Sequence, residues 1–195
     1  MIFWNMTFGR RARGSALRAL QRVFLVTVAL GISCASLARA DLYAGALDSA
    51  CAVNDVGKLT CWGWNHYGTV GDGTFGGDPL VDCTSDCDRM IRFQPTLVLS
   101  ITPGSVKEVT CGLAHCCVLL ENSEYEVMCW GIHIFGALGP NTPTNFDNSN
   151  NQPAPVGVTG FTSAVTTIAA GHNFVCAALQ DGGAVCWGAN NRGQL

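Results

Sequence analysis

The strongest constraint on the fold is a tripeptide, Cys-Trp-Gly, that occurs at residues 61–63, 129–131 and 186–188. Each copy follows a β-prone run and precedes a turn of one form: WNHYGTVG, IHIFGALG and ANNRGQL. The Trp-Gly pairs are 68 and then 57 residues apart. Self-similarity at such a period is typical of proteins built from consecutive, similar units.

The last copy lies in a predicted β-hairpin whose two cysteines face each other. Two β-prone runs, 174–179 and 183–187, flank the loop Gln-Asp-Gly at 180–182, where glycine suits the left-handed position of a three-residue turn. Counting outward from this turn places Cys176 opposite Cys186 at a non-hydrogen-bonded position. Cα atoms there lie about 4.5 Å apart, a distance that a disulfide accepts.

The same counting applies to the other two copies. Cys51 and Cys61 flank a loop, 55–57, that also ends in glycine. Cys117 and Cys129 face each other only if a longer loop without glycine is assumed. Closing a hairpin of this length with a disulfide stabilises it by about 3 kcal/mol in the chain-entropy model.

Four further cysteines are close enough in sequence to pair locally, Cys83 with Cys87 and Cys111 with Cys116. Because Cys116 is next to Cys117, the middle assignment stays exchangeable. Together with the three hairpin pairs, these residues make ten cysteines after residue 40, an even set that favours an oxidising compartment.

Each unit offers four short strands, which predicts an all-β fold of propeller blades with four antiparallel strands. Similar proline-containing segments, QPTLV and QPAPV, begin at residues 94 and 152. We place this strand first in each unit, at a sheet edge where proline is tolerated. The predicted units are 42–111, 112–170 and a truncated 171–195, with loop insertions at 71–92 and 139–151.

The third copy consists of a glycine, a strand ending Cys-Ala-Ala-Leu, a glycine turn, Val-Cys-Trp-Gly and then Asn-x-x-Gly-Gln-Leu. This pattern resembles the regulator of chromosome condensation repeat, in its cysteine-bearing secreted form. The resemblance covers most of residues 42–195. It implies a propeller of about seven blades. We therefore expect about two and a half blades here and a longer natural chain; self-association that completes a ring is the alternative.

Residues 1–40 contain six arginines and no acidic residue, and they include an apolar run at 23–37 followed by Ala-Arg-Ala. This pattern predicts a secretory signal peptide cleaved after Ala40 and a secreted or extracytoplasmic protein without stable membrane insertion. The apolar run is short for a spanning helix. A mitochondrial presequence and, through Arg10 and Arg11, a twin-arginine route are the alternatives.

The charge of the region after residue 40 argues against nucleic-acid binding. It holds five basic and fourteen acidic residues, which leaves a net charge of −9. Binding to a phosphate backbone depends on lysine and arginine clusters. We therefore expect protein partners and no nucleic acid.

No residue pattern predicts catalysis, a metal or a cofactor. Zinc could be sought among Cys83, Cys87, Cys111 and the pair at 116–117, but the spacing is wrong for the usual zinc motifs. The aspartates of the first insertion match no known calcium-loop spacing and are interpreted as a solvated loop. Neither a serine nor a cysteine nucleophile recurs beside the four histidines.

The tryptophans of the repeat, Trp62, Trp130 and Trp187, are interpreted as blade-packing wedges. Trp64 has no aromatic counterpart in the other copies, and with Tyr67 and Arg92 it is a possible partner contact. The leading hypothesis is a secreted, non-enzymatic protein-binding scaffold. The alternatives are a guanine-nucleotide exchange factor-like regulator of a small GTPase and an accessory repeat region of a larger enzyme.

Overall fold

A computed structural model describes residues 41–44, 49–77, 90–140 and 151–195, all within one compact unit, Arg39–Leu195. The predicted signal peptide, Cys83, Cys87 and most of both insertions lie outside these ranges. The described strands are β1 (Asp41–Ala44), β2 (Ser49–Val53), β3 (Leu59–Trp64), β4 (Ile91–Leu97), β5 (Val106–Cys111), β6 (His115–Leu120), β7 (Val127–Gly131), β8 (Gln152–Val158), β9 (Val165–Ala170), β10 (Phe174–Leu179) and β11 (Ala184–Gly188).

The strands form three antiparallel sheets in chain order: β1 to β4, β5 to β8, and β9 to β11. We call these sheets the first, second and third blade. Strand β5 contacts both β1 and β9. The opening strands of the three blades therefore lie side by side, as the innermost strands of a propeller do around its axis. This arrangement confirms the predicted fold class, and no described helix is long and apolar enough to cross a lipid bilayer.

The hairpin registers are those expected from the turns. Cys176 faces Cys186 with their Cα atoms 4.1 Å apart. The amide of Leu179 donates to the carbonyl of Gly183 at 2.8 Å, and Gly182 adopts a φ of +89° that favours glycine. The middle hairpin lacks glycine, and Asn122 takes the left-handed conformation there with a φ of 51°. Asparagine tolerates that region better than most residues.

The blades divide the chain differently from the predicted units. The segments with proline form β4 and β8, which close the first and second blades instead of opening the next ones. A repeating sequence has no intrinsic starting point, so its period defines the spacing of strands but not which strand opens a sheet. The predicted edge position is retained, because β4 and β8 each pair on one side only.

Strand β6 is buried on both faces, which explains its uninterrupted apolar sequence, HCCVLL. Cys116, Val118 and Leu120 pack toward the first blade, in a cluster with Leu59 of β3. The alternate residues of β6 pack toward the third blade, in a cluster with Val175. The period of two along a strand thus divides β6 between two hydrophobic cores.

Two repeat tryptophans, Trp130 and Trp187, each pack their own blade against the preceding blade. Trp130 is fully buried, and its indole N–H donates to the carbonyl of Thr69 in the first blade at 2.8 Å. Trp187 donates in the same way to Ala137 of the second blade at 3.0 Å. A Cβ on Gly71 would lie 2.8 Å from the Trp130 ring nitrogen, so the turn needs glycine there. Trp62, on the outer side of the first blade, is only half-buried.

Side chains of the second blade satisfy amides on the open edge of β9. The carboxylate of Glu108 accepts from the Ile168 amide at 2.9 Å and from the Thr167 hydroxyl at 2.8 Å. The hydroxyl of Thr110 accepts from the amide of Ala170 at 3.0 Å. A free strand edge exposes unpaired donors, and these bonds satisfy them across the blade boundary.

Candidate functional site: the loop face

Both insertions emerge at the same end of the blades. We call this end the loop face. It comprises the connections after β3, β5, β7, β9 and β11. Because the strands are antiparallel, these connections alternate with the turns at the other end. The connections at the opposite end, at 54–58, 98–105, 121–126, 159–164 and 180–183, are all short. Length variation among the blades is therefore concentrated on the loop face, a distribution typical of binding surfaces on a rigid scaffold.

A constant side-chain acceptor supports the turn after each Trp-Gly pair. The Oδ1 of Asn65 accepts from the amide of Val70 at 2.9 Å. Asn190 bonds Leu195 equivalently at 3.1 Å, and Nδ1 of His133 accepts from the amide of Leu138 at 3.2 Å. His133 is thus a turn support in place of asparagine. The shared third position after Cys-Trp in every copy, Asn, His and Asn, was the sequence signal for this role.

Variable residues occupy the exposed tips of these supported turns. In the first blade, the rings of Trp64 and His66 stack with centroids 5.4 Å apart, and Tyr67 meets both edge-on, at 5.2 and 4.6 Å. The equivalents of Tyr67 are Phe135, which is 40% exposed with a φ of 57°, and the exposed Arg192. The same supported turn therefore presents an aromatic cluster in the first blade, the ring of Phe135 in the second and the charge of Arg192 in the third.

The structure corrects the expectation that Arg92 contacts a partner. Its side chain is 9% exposed, and its guanidinium forms an ion pair with Asp72 at 2.9 Å. It also donates to the carbonyl of Gly77 and to the hydroxyl of Thr74. Arg92 therefore ties the start of the first insertion to β4 and presents no charge to solvent.

A groove of about 290 Å³ lies on the loop face beside the third blade. The ring of Phe135 borders it from the second blade, while Phe174, His172 and Arg192 line it from the third. The buried Oδ1 of Asn173, another lining residue, has no hydrogen-bonding partner among the described residues. Aromatic rings and a cation give this groove the character of a peptide-recognition surface.

The histidines occupy four different environments, and the structure does not gather them into one site. His115 begins β6 of the second blade and is fully buried. Within the described structure, neither of its ring nitrogens has a hydrogen-bonding partner. Burial lowers the pKa of His115 to about 4, and the neighbouring charge of His172 acts in the same direction. His66 and His172 are exposed.

Among the described residues, eight cysteines form disulfides, Cys51 with Cys61, Cys111 with Cys116, Cys117 with Cys129, and Cys176 with Cys186. In the part of the chain that the structure describes, one group brings three possible metal ligands within 4.8 Å: the sulfurs of Cys51, Cys111 and Cys116. All three are engaged in disulfides, which leaves no thiolate for a metal.

Together, the antiparallel blades, the tryptophan wedges and the supported turns define a repeat protein of the propeller class. Profiles of the regulator of chromosome condensation (RCC1) repeat match residues 57–119 and 165–194. The chain therefore contains RCC1-type repeats.

Similar proteins include the human probable E3 ubiquitin-protein ligase HERC4, 28% identical over 145 residues, and the ultraviolet-B receptor UVR8 of Arabidopsis thaliana, 27% identical over 139 residues. These matches cover 74% and 71% of this chain but 12% and 27% of the relatives. Among solved structures, yeast RCC1 (Prp20) bound to Kap60 superposes with a TM-score of 0.58 at 18% identity, over 76% of this chain and 32% of that one. The likeness at this identity concerns the fold.

Proposed function

We propose that this chain is part of an exported, non-enzymatic scaffold whose loop face binds a protein partner. One observation carries the proposal: the insertions and the variable turn tips share one end of the blades, while the opposite end has short connections. Evolvable binding surfaces commonly combine a constant frame with variable loops.

The aromatic cluster of the first blade is the proposed centre of contact. Trp64 and Tyr67 are half-buried and held against His66, so their positions are set before a partner binds. Preorganised aromatic side chains lose little conformational entropy on binding and are enriched among interface residues that dominate affinity. Structural relatives support a protein partner, since yeast Prp20 is bound to Kap60 in one solved structure and has binding properties to Gsp1p and histones.

Export is supported by the presequence pattern at 1–40 and by the even number of cysteines that follow it. Disulfides persist in oxidising compartments and are rare in the cytosol. Sequencing the N-terminus of protein recovered from the culture medium tests this part of the proposal. A mature chain that begins at Asp41 is expected, whereas retention of the protein in the cytosol with free thiols would contradict export.

The binding face can be tested by placing a photo-crosslinking residue at position 67 or, as a control, at position 56. Val56 lies in the turn at the opposite end and is 61% exposed, so it is at least as accessible as the half-buried Tyr67 without belonging to the loop face. Crosslinks to one protein from position 67 but not from 56 are expected. Equal capture at both positions, or capture of GTPases alone, would contradict the proposal.

With the captured protein purified, Trp64→Ala should weaken its binding by about 2 kcal/mol, near thirtyfold, as expected for an interface residue of this kind. Val56→Ala should leave affinity unchanged. Biolayer interferometry against the full-length chain measures both.

A second candidate function is a repeat region within a larger enzyme. The match to HERC4, a probable ubiquitin ligase, covers 12% of that protein. In this case the loop face would still recruit a protein, and the chemistry would be performed by another part of the chain. Sequencing the gene beyond codon 195 distinguishes the two, because an appended catalytic domain would assign the function there.

A further inference from the structure

Two disulfides from different blades lie against each other between the first and second blades. One joins Cys51 to Cys61 in the first blade, and the other joins Cys111 to Cys116 in the second. The sulfurs of Cys51, Cys111 and Cys116 all lie within 4.8 Å of one another. A sulfur of one disulfide is thus close to both sulfurs of the next.

The second of these disulfides has no counterpart in the other blades. Cys111 faces Cys116 across the two neighbouring strands of the second blade. In the third blade, Ala170 and Val175 face each other at the equivalent position. Apolar residues at that position suffice to build a blade, so the blade itself does not require this bond.

Access to solvent differs sharply among the four cysteines. Cys51 is 1% exposed, and Cys61 and Cys116 are 0% exposed, in a cluster of apolar side chains. Cys111 is partly exposed. A dissolved thiol can therefore approach this group only through Cys111.

We propose that Cys111 is a site of S-thiolation by a low-molecular-mass thiol, and that its modification starts a disulfide relay between the two blades. In the first step, the thiolate of the small molecule attacks Sγ of Cys111. A mixed disulfide forms, the bond between Cys111 and Cys116 breaks, and its electron pair passes to Sγ of Cys116.

In the second step, the released sulfur of Cys116 attacks the neighbouring Sγ of Cys51. A disulfide between Cys51 and Cys116 forms, the bond to Cys61 breaks, and Cys61 leaves as a thiolate that takes up a proton. The small thiol becomes bound to Cys111, and the relay consumes no oxidant. A bond within one blade is thereby exchanged for a covalent bond between two blades.

The relay is tested by incubating the full chain with millimolar reduced glutathione under native conditions, quenching with an alkylating agent in acidic denaturant so that buried thiols are labelled, and mapping peptides without reduction. We expect glutathione on Cys111, a peptide pair joined through Cys51 and Cys116, and alkylation of Cys61. Glutathione on Cys111 with alkylated Cys116 and an intact bond between Cys51 and Cys61 would overturn the relay. No glutathione on Cys111 would overturn the modification site.

A variant separates the relay from the first step. Cys111→Ser leaves Cys116 without its partner, so the bond between Cys51 and Cys116 should appear with no added thiol. The matched control is Cys129→Ser, which frees Cys117 on the other face of β6, where the described structure holds no second disulfide within reach.

In variants that keep the far-ultraviolet circular dichroism of the parent, Cys117 should stay alkylatable while Cys116 does not. Equal alkylation of Cys116 and Cys117 would overturn the proposal. So would exchange that also involves the bond between Cys176 and Cys186, because that outcome would indicate general scrambling through unfolded chains.

Discussion

The two boundaries between blades share one wedge and differ in everything around it. Between the first and second blades, Trp130 is surrounded by apolar side chains and two disulfides. Between the second and third, Trp187 is accompanied by hydrogen bonds that β9 amides donate to Glu108 and Thr110, and by the buried imidazole of His115. The first boundary is an apolar core that contains two disulfides, and the second combines an apolar core, with the disulfide between Cys117 and Cys129, with polar contacts.

The difference shows which part of a repeat interface is essential. The indole and its carbonyl acceptor recur at both boundaries with bonds of 2.8 and 3.0 Å. The surrounding residues vary, as expected where any well-packed neighbour satisfies the same steric requirement. The two boundaries should therefore respond alike to loss of the wedge and differently to pH.

The largest effect is expected from Trp130→Ala, a loss of about 4 kcal/mol in the free energy of unfolding. The change opens a cavity in the first boundary and leaves the Thr69 carbonyl without its donor. Trp187→Ala should cost somewhat less, since Trp187 is 7% exposed. Urea unfolding followed by circular dichroism measures both. Trp62→Ala is the control, and an equal loss there would contradict the wedge interpretation.

The second boundary should weaken in acid. Because the pKa of His115 is about 4 in the folded protein and near 6.5 when unfolded, the unfolded chain binds more protons between these values. The contribution of His115 to the free energy of unfolding is complete above pH 6.5 and falls as the pH decreases. By pH 4, about 3 kcal/mol of it is lost. Unfolding measured across this range checks the prediction.

His115→Phe provides the matched variant, since Phe174 occupies the equivalent position opposite the Trp-Gly glycine in the third blade. The variant should lose this part of the pH dependence while remaining folded. An unchanged profile would indicate that other groups titrate instead.

The smallest effect is expected at the polar contacts of β9. Glu108→Ala should cost about 2 kcal/mol, because the amide of Ile168 loses a charged acceptor. The adjacent Lys107 forms an exposed ion pair with Glu121 at 3.5 Å, and Lys107→Ala should cost less than about 0.5 kcal/mol. Thermal unfolding of the two variants gives the comparison, and equal shifts would argue against the edge contact.

Local features of the chain were predictable because they depend on neighbours in sequence. Turn length and a glycine at position 182 determine the register that brings Cys176 opposite Cys186. The repeated tripeptide was sufficient to predict antiparallel blades.

The role of Arg92 could not be read from the sequence, since its partner Asp72 lies twenty residues away along the chain. The same holds for His133, whose Nδ1 replaces an asparagine oxygen as acceptor. Both residues look like surface groups until the path of the backbone is known.

The amino-acid sequence by itself determined the repeat, the hairpins and the positions at which cysteines can face each other, because these depend on alternation along a strand and on turn geometry. Only the tertiary structure decided which strand closes each blade, which end carries the variable turns, and that two disulfides from different blades lie together. Those properties arise when separate segments pack against each other, and the distances between such segments are encoded by no local pattern.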